Sequence, residues 1–144
     1  MNHMALLLAL QVWGGSPALN HHVDVAKVVH VEATKHDLDP VLVHTVIKHE
    51  SKGDPSAVSA DGMDIGLMQL RLTGAGKGYT KRQLLNPVIN IQRGTAYLAA
   101  MITHCGSLIR GLGAYNRGPG HCVKNDYAKA VWREYRTMLL KQNS

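Results

Sequence analysis

The chain contains no phenylalanine, and aromatic residues occupy only 5% of its 144 positions. A core built without Phe has to be filled mainly by Leu, Val, Ile, Ala and Met; hydrophobic residues as a whole supply 45% of the sequence, enough for one ordinary domain. Acidic residues are also few, 10 against 16 Lys and Arg, which leaves a formal net charge of +6. That balance suits an anionic partner, whether nucleic acid, an acidic membrane surface or a cell-wall polymer. The basic residues are dispersed, and no helix-turn-helix or finger spacing occurs, so no nucleic-acid partner is expected. A stable membrane span is not expected either. The N-terminal apolar stretch, Met4 to Trp13, covers ten residues, well short of the ~20 a spanning helix needs. Gly14, Gly15, Ser16, Pro17 and Ala18 follow it, so the segment has the length and the small-residue ending of a secretory leader, although Met1-Asn2-His3 lacks a basic residue. Residues 1–22 are read as a candidate signal peptide or N-terminal segment, and 23–144 as one domain.

Several kinds of chemistry lack their residues. There is no G-x-S-x-G nucleophile elbow. There is no H-E-x-x-H zinc motif, because Gly53 stands where the second histidine after His49-Glu50 would fall. The glycines at 74, 76 and 78 are out of register for a phosphate loop. His104-Cys105 and His121-Cys122 lack the spacing of a metal-ligand set. No metal and no organic cofactor are expected. Cys105 and Cys122 form a candidate disulfide if the protein is exported, and buried thiols if it is not.

Short helices joined by glycine-rich loops make up the rest. Val25, Val28, Val29 and Glu32 mark a first amphipathic helix ending near His36. Asp39 and Pro40 supply the cap and first turn of a second. In that helix Val43, Val46, Ile47 and Glu50 follow the i, i+3, i+4, i+7 rule, which puts a carboxylate on the apolar stripe in the last turn. Apolar surroundings and the negative helix end both raise a carboxyl pKa, towards the range of a general acid. The alternative is a helix that frays before Glu50 and leaves it in solvent. Turn residues dominate 53–66, which reads as an irregular loop or hairpin. Asn86-Pro87 opens another helix, Leu108 to Ala114 forms a shorter one, and a final amphipathic helix runs from about Asp126 to Leu140 with Ala130, Val131, Tyr135 and Met138 facing inward. The expected fold class is mostly α. Asp54, Asp61 and Asp64 are the other carboxylates near Glu50 in sequence; Asp61 or Asp64 is the candidate second carboxylate that most glycosidases need, or else a loop cap.

The stretch Val46 to Ser51, then Asp54-Pro55, Ala57-Val58-Ser59 and Gly66-Leu67-Met68-Gln69-Leu70, resembles the soluble lytic transglycosylase (SLT) domain of the lysozyme-like superfamily. Leu85-Asn86-Pro87, Asn90-Ile91, Gly94-Thr95, Tyr97-Leu98 and Ala114 to Gly120 extend the match in order over about residues 25–136. The Asp64-x-Gly66-Leu-Met-Gln form is similar to small enzymes of conjugation, secretion, pilus and phage systems. The resemblance implies a lysozyme-like fold and cleavage of peptidoglycan glycan strands at the β-1,4 bond between N-acetylmuramic acid and N-acetylglucosamine, leaving 1,6-anhydro ends, in the periplasm or at the wall outside the cell. It implies Glu50 as the catalytic acid, with Ser51 hydrogen-bonded to it and Tyr115 beside it, and Gly66, Leu67, Met68, Gln69, Tyr115 and Asn116 along the glycan. Two departures from the family are plain: Gly53 replaces a large apolar residue, and Arg71-Leu72 replaces Met-Pro. A hydrolase using Glu50 with Asp61 or Asp64, and an inactive wall-binding module of a secretion or conjugation assembly, are the rival readings.

Overall fold

The computed structural model describes residues 23–144, so the expected leader at 1–22 lies outside the described residues. Helices α1 (Val25–Lys35) and α2 (Pro40–Ser51) are followed by strands β1 (Asp64–Ile65) and β2 (Leu70–Arg71), then by α3 (Lys81–Leu84), α4 (Pro87–Cys105), α5 (Leu108–Arg117) and α6 (Asp126–Gln142). The mostly helical expectation holds. No helix among the described residues is long and apolar enough to cross a membrane.

The helix starts follow local chemistry. Asp39 accepts a hydrogen bond from the Val41 N–H, and Asn86 accepts from Val88 and Ile89, each with proline as the first helical residue. Thr80 and Gln83 cap α3 reciprocally, a helix that the surrounding glycines concealed from the sequence reading. Helix α4 packs against α1 and α5, while α2 packs against α1 and α6. The shared core holds Val29, Leu42, Val43, Val46, Ile65, Leu67, Met68, Leu98, Leu112 and Val131, with no aromatic side chain at its fully buried centre. Tyr135, on α6, donates to the second oxygen of Asp39 at 3.0 Å, so the cap of α2 is also its tie to the last helix. On α6, Val131 and Tyr135 face inward as expected, but Met138 does not: it is 42% exposed, because the inward stripe continues from Tyr135 to Leu139, which packs on the core, and leaves Met138 beside it.

Strand pairing reaches further along the chain than the 53–66 region: Asp64 pairs with Arg71 and Ile65 with Leu70, and Val58 bridges to Ile65. The hairpin turn is therefore Gly66-Leu67-Met68-Gln69. Asn90, fully buried on α4, fastens this turn. Its carbonyl oxygen accepts from the Met68 N–H at 2.8 Å, and its amide nitrogen donates to the carbonyls of Ile65 and Leu84, each at 2.8 Å. Gly66 has φ +78, and a Cβ there would fall 2.4 Å from the Asn90 amide nitrogen and 2.7 Å from the Leu84 carbonyl. Glycine is required twice over, by its backbone angle and by the closeness of Asn90.

Cys105, the last residue of α4, is bonded to Cys122, just beyond α5, so the disulfide form of the sequence reading is the one present. The bridge closes a 17-residue separation that contains all of α5.

Asn90→Ala leaves one backbone N–H and two carbonyls unsatisfied in the interior, and its expected effect is a loss of about 3 kcal/mol or more in urea unfolding. A loss below about 1 kcal/mol would mean that other groups or water replace the bonds. Replacing both cysteines by serine is expected to lower stability by about 3 kcal/mol, from the loop entropy alone, read as the difference from the oxidised wild type in the same titration.

Candidate active site

Helix α2 does not fray before Glu50. It runs one residue past it, to Ser51, and stops where Lys52 adopts a left-handed conformation with φ 56. Glu50 therefore comes up in the last turn, on the face that carries Val43, Val46 and Ile47 into the core, and opens into a cleft of about 430 Å³. Asp64, Gln69 and Arg71 of the hairpin line one wall, with Gly74 and Ala75 beyond them. Tyr97 of α4, and Tyr115, Asn116 and Arg117 of α5, line the other.

The carboxyl of Glu50 is held up at a pKa of about 7, from an ordinary 4.5. The largest cause is burial, which disfavours the anion; the negative charge of Asp64 adds to it. Tyr127 acts in the opposite direction and favours the carboxylate. Its hydroxyl is buried and has no full hydrogen-bond partner among the described residues, and the Glu50 charge together with burial pushes its own pKa well above the usual range. Tyr127 was missing from the residues named by sequence. It lies four positions before Val131 and eight before Tyr135, so carrying the inward stripe of α6 back one turn reaches it.

The other two carboxylates near the cleft are engaged. Arg71 donates to both oxygens of Asp64, at 3.2 and 3.0 Å, and to Asp61 at 2.9 Å. Asp61 also accepts from Ser59, and its pKa is pulled down to about 2 by these bonds. Asp61 does not line the cleft; Asp64 does.

Several residues sit elsewhere than the resemblance implied. The Ser51 hydroxyl donates to the Ile47 carbonyl and accepts from the Gly53 N–H, so it finishes the helix end and does not hold Glu50. Gly53 is exposed with φ +81, and no atom lies within 4 Å of where its side chain would start; no apolar packing has been lost there. Leu67 and Met68 are fully buried, and Gly66 is buried beneath Asn90, so these three support the cleft and do not line it. Met68 is pressed against Gly94, where a Cβ would come within 2.4 Å of its sulfur, and Thr95 donates to that sulfur. Packing between α4 and the hairpin turn accounts for the Gly94-Thr95 pair. Gln69 lines the cleft, with its amide nitrogen bonded to the Ala57 and Gly66 carbonyls. Tyr115 also lines it, and its hydroxyl donates to the Met68 carbonyl at 2.6 Å, locking α5 to the hairpin turn. Asn116 is exposed on the cleft wall and accepts from Asn125. Tyr97 is a wall residue that the sequence reading placed only in a helix.

The family model described as "Transglycosylase SLT domain" matches residues 27–138. Among curated proteins, the endo-type membrane-bound lytic murein transglycosylase A of Klebsiella pneumoniae is 36% identical over 44% of this chain and 36% of its own length. The protein of the same name from Salmonella paratyphi B is 38% identical over the same shares. The chain thus spans about a third of the length of the curated relatives it matches. Among solved structures, an inactive mutant of the lytic transglycosylase Slt from Pseudomonas aeruginosa superposes with a TM-score of 0.69 at 22% identity, over 81% of this chain and 24% of that one. The shared fold is the lysozyme-like one.

Glu50 has a measurable consequence for stability whatever its chemistry. Its folded pKa lies above its unfolded value, so the stability linked to its protonated form is complete below about pH 4.5 and is lost as the pH rises through about 7. Glu50→Gln removes that loss. The variant is expected to exceed the wild type by roughly 2–3 kcal/mol near pH 8.5 and to equal it near pH 4. Asp64→Asn should move the midpoint of this difference down, and Tyr127→Phe should move it up. Urea unfolding across that range checks all three, and a difference independent of pH would refute the raised pKa.

Proposed function

Because the chain belongs to the transglycosylase SLT domain family, we propose that it cleaves peptidoglycan glycan strands as a lytic transglycosylase, with Glu50 as the acid and base. The observation that carries this reading is the pairing state of the carboxylates. One carboxyl, Glu50, is desolvated, faces the cleft and holds its proton to about pH 7. The nearest other carboxylate in the cleft, Asp64, is bound through both oxygens to Arg71. A site with one free carboxyl suits a reaction whose nucleophile the substrate supplies.

In that reaction Glu50 gives its proton to the oxygen of the β-1,4 bond between N-acetylmuramic acid and N-acetylglucosamine. The acetamido group of the muramic residue shelters the developing positive charge as an oxazolinium-like intermediate. Glu50, now a carboxylate, takes the proton of the muramic 6-hydroxyl, which closes on the anomeric carbon and leaves a 1,6-anhydro end. No water is consumed. Tyr127 faces both forms of Glu50: its hydroxyl favours the carboxylate that appears after the first step, against the burial that favours the acid before it. Gln69 and Asn116 are the polar groups on opposite walls that meet sugar hydroxyl and acetamido groups, while Met68 and Leu67 serve as packing behind Gln69. The substrate places the site of action at the wall, in the periplasm or outside the cell. The Asp64-x-Gly66-Leu-Met-Gln turn, similar to that of small enzymes of secretion, conjugation, pilus and phage systems, favours a role beside such machinery.

A hydrolase is the second reading, because Asp64 does share the cleft with Glu50. It requires Arg71 to release Asp64 so that a water can be activated. Mass spectrometry of the fragments from purified sacculi separates the two. Anhydro ends, lighter than reducing ends by one water, are the expected product, and reducing ends alone would establish hydrolysis. Glu50→Gln is expected to lower turnover by about a hundredfold or more, with wild-type turnover falling as pH rises through about 7. Unchanged clearing of sacculi by this variant would remove Glu50 from the chemistry. Binding without cleavage by the wild type would favour an inactive wall-binding module.

A further inference from the structure

The two arginines of the cleft are in opposite electrical states. Arg71 is saturated by Asp61 and Asp64, both within 3.0 Å, and their hydrogen bonds, followed by their charges, raise its own pKa. That side of the cleft holds two carboxylates to one guanidinium, Asp64 within the lining and Asp61 outside it. Arg117 stands on the opposite wall, at the end of α5 next to Asn116, and forms no ion pair with any described residue. A cation in the last turn of a helix is favoured by the helix dipole, by about 0.3–1 kcal/mol. Lys35 and Lys141 occupy the same position in α1 and α6. The dipole therefore explains a basic residue at this point but not its place on the cleft wall. The result is a transverse charge gradient, acidic on the hairpin side and basic on the α5 side, with Glu50 between.

N-acetylated sugars are neutral, so a glycan gains from this gradient only through a charged substituent. Peptidoglycan carries one beside the reacting bond: the lactyl arm of muramic acid. The arm ends in a carboxylate when bare, and in a peptide with its own carboxylates when substituted. A guanidinium binds a carboxylate through two parallel N–H donors, a geometry that a lone ammonium does not reproduce. Building on the peptidoglycan reading above, we propose that Arg117 recognises a carboxylate borne on the lactyl arm of the muramic residue, and so fixes which way round the strand lies in the cleft. The acidic hairpin wall repels the same group and adds to the discrimination.

Three substrates test this: peptide-bearing strands, strands stripped of peptide by an amidase, and stripped strands whose carboxylates have been converted to neutral methylamides with carbodiimide. For the wild type, KM is expected to be about tenfold higher on the neutral strands than on a carboxylate-bearing form. Arg117→Gln should abolish this difference by raising KM on the carboxylate-bearing form, with kcat changed much less. Arg117→Lys should restore only part of it. The preferred carboxylate form, bare or peptide-bearing, identifies the source of the charge. Equal KM for the wild type on all three substrates, or an Arg117→Gln KM unchanged on each, would overturn the proposal. Binding of the three strands to Glu50→Gln, with and without Arg117→Gln, gives the same comparison without turnover. If binding depends on Arg117 and charge but the wild type cleaves nothing, the cleavage reading fails and the carboxylate recognition stands. If binding is indifferent to both, the recognition fails by itself.

Discussion

Three hydrogen bonds from one amide side chain hold the cleft in shape. Asn90 lies at the start of α4, out of solvent, and reaches the turn between the two short strands through Met68 and Ile65 and the end of α3 through Leu84. A two-residue ladder cannot set the position of a hairpin unaided. With its turn fastened to a 19-residue helix, the hairpin becomes a fixed wall. The other tie comes from Tyr115, whose hydroxyl reaches the carbonyl of the same Met68 from α5. Both walls are thus referenced to one buried methionine, and the close approach that allows this is made by Gly66 and Gly94.

Against this fixed frame the last turn of α2 lifts a single carboxyl. Its protonation is the outcome of opposed effects, burial and Asp64 on one side and Tyr127 on the other. Arg71 holds Asp64 in place and occupies its oxygens while leaving its charge near enough to act on Glu50. The hairpin carboxylate thereby tunes the Glu50 carboxyl while its own oxygens stay engaged. Arg71 is what makes that division possible.

Much of this was legible in the sequence. The caps at Asp39 and Asn86, the apolar stripe ending in Glu50 and the mostly α class all follow from local rules, because capping and helical periodicity depend on neighbours in the chain. The floor of the site was less legible. Met68 and Leu67 were assigned to the glycan, yet they are buried, since which face of an irregular turn meets solvent is decided by Asn90 from 22 positions away. Ser51 follows Glu50 directly in the chain, yet its hydroxyl is taken up by the helix end, at the Ile47 carbonyl and the Gly53 N–H. Tyr127 and Arg117 arrive from elements whose packing no local pattern records, although the stripe of α6 contained the first of them.

The bridge between Cys105 and Cys122 encloses the wall formed by Tyr115, Asn116 and Arg117 in a covalent ring rooted at the end of α4. Segments tied at both ends explore fewer shapes before anything binds. A polymer entering the cleft meets side chains whose freedom was already restricted when the protein folded, so little further ordering is charged against its affinity. The opposite wall reaches the same fixity without a covalent ring, through the buried bonds of Asn90 and Tyr115 to the hairpin turn.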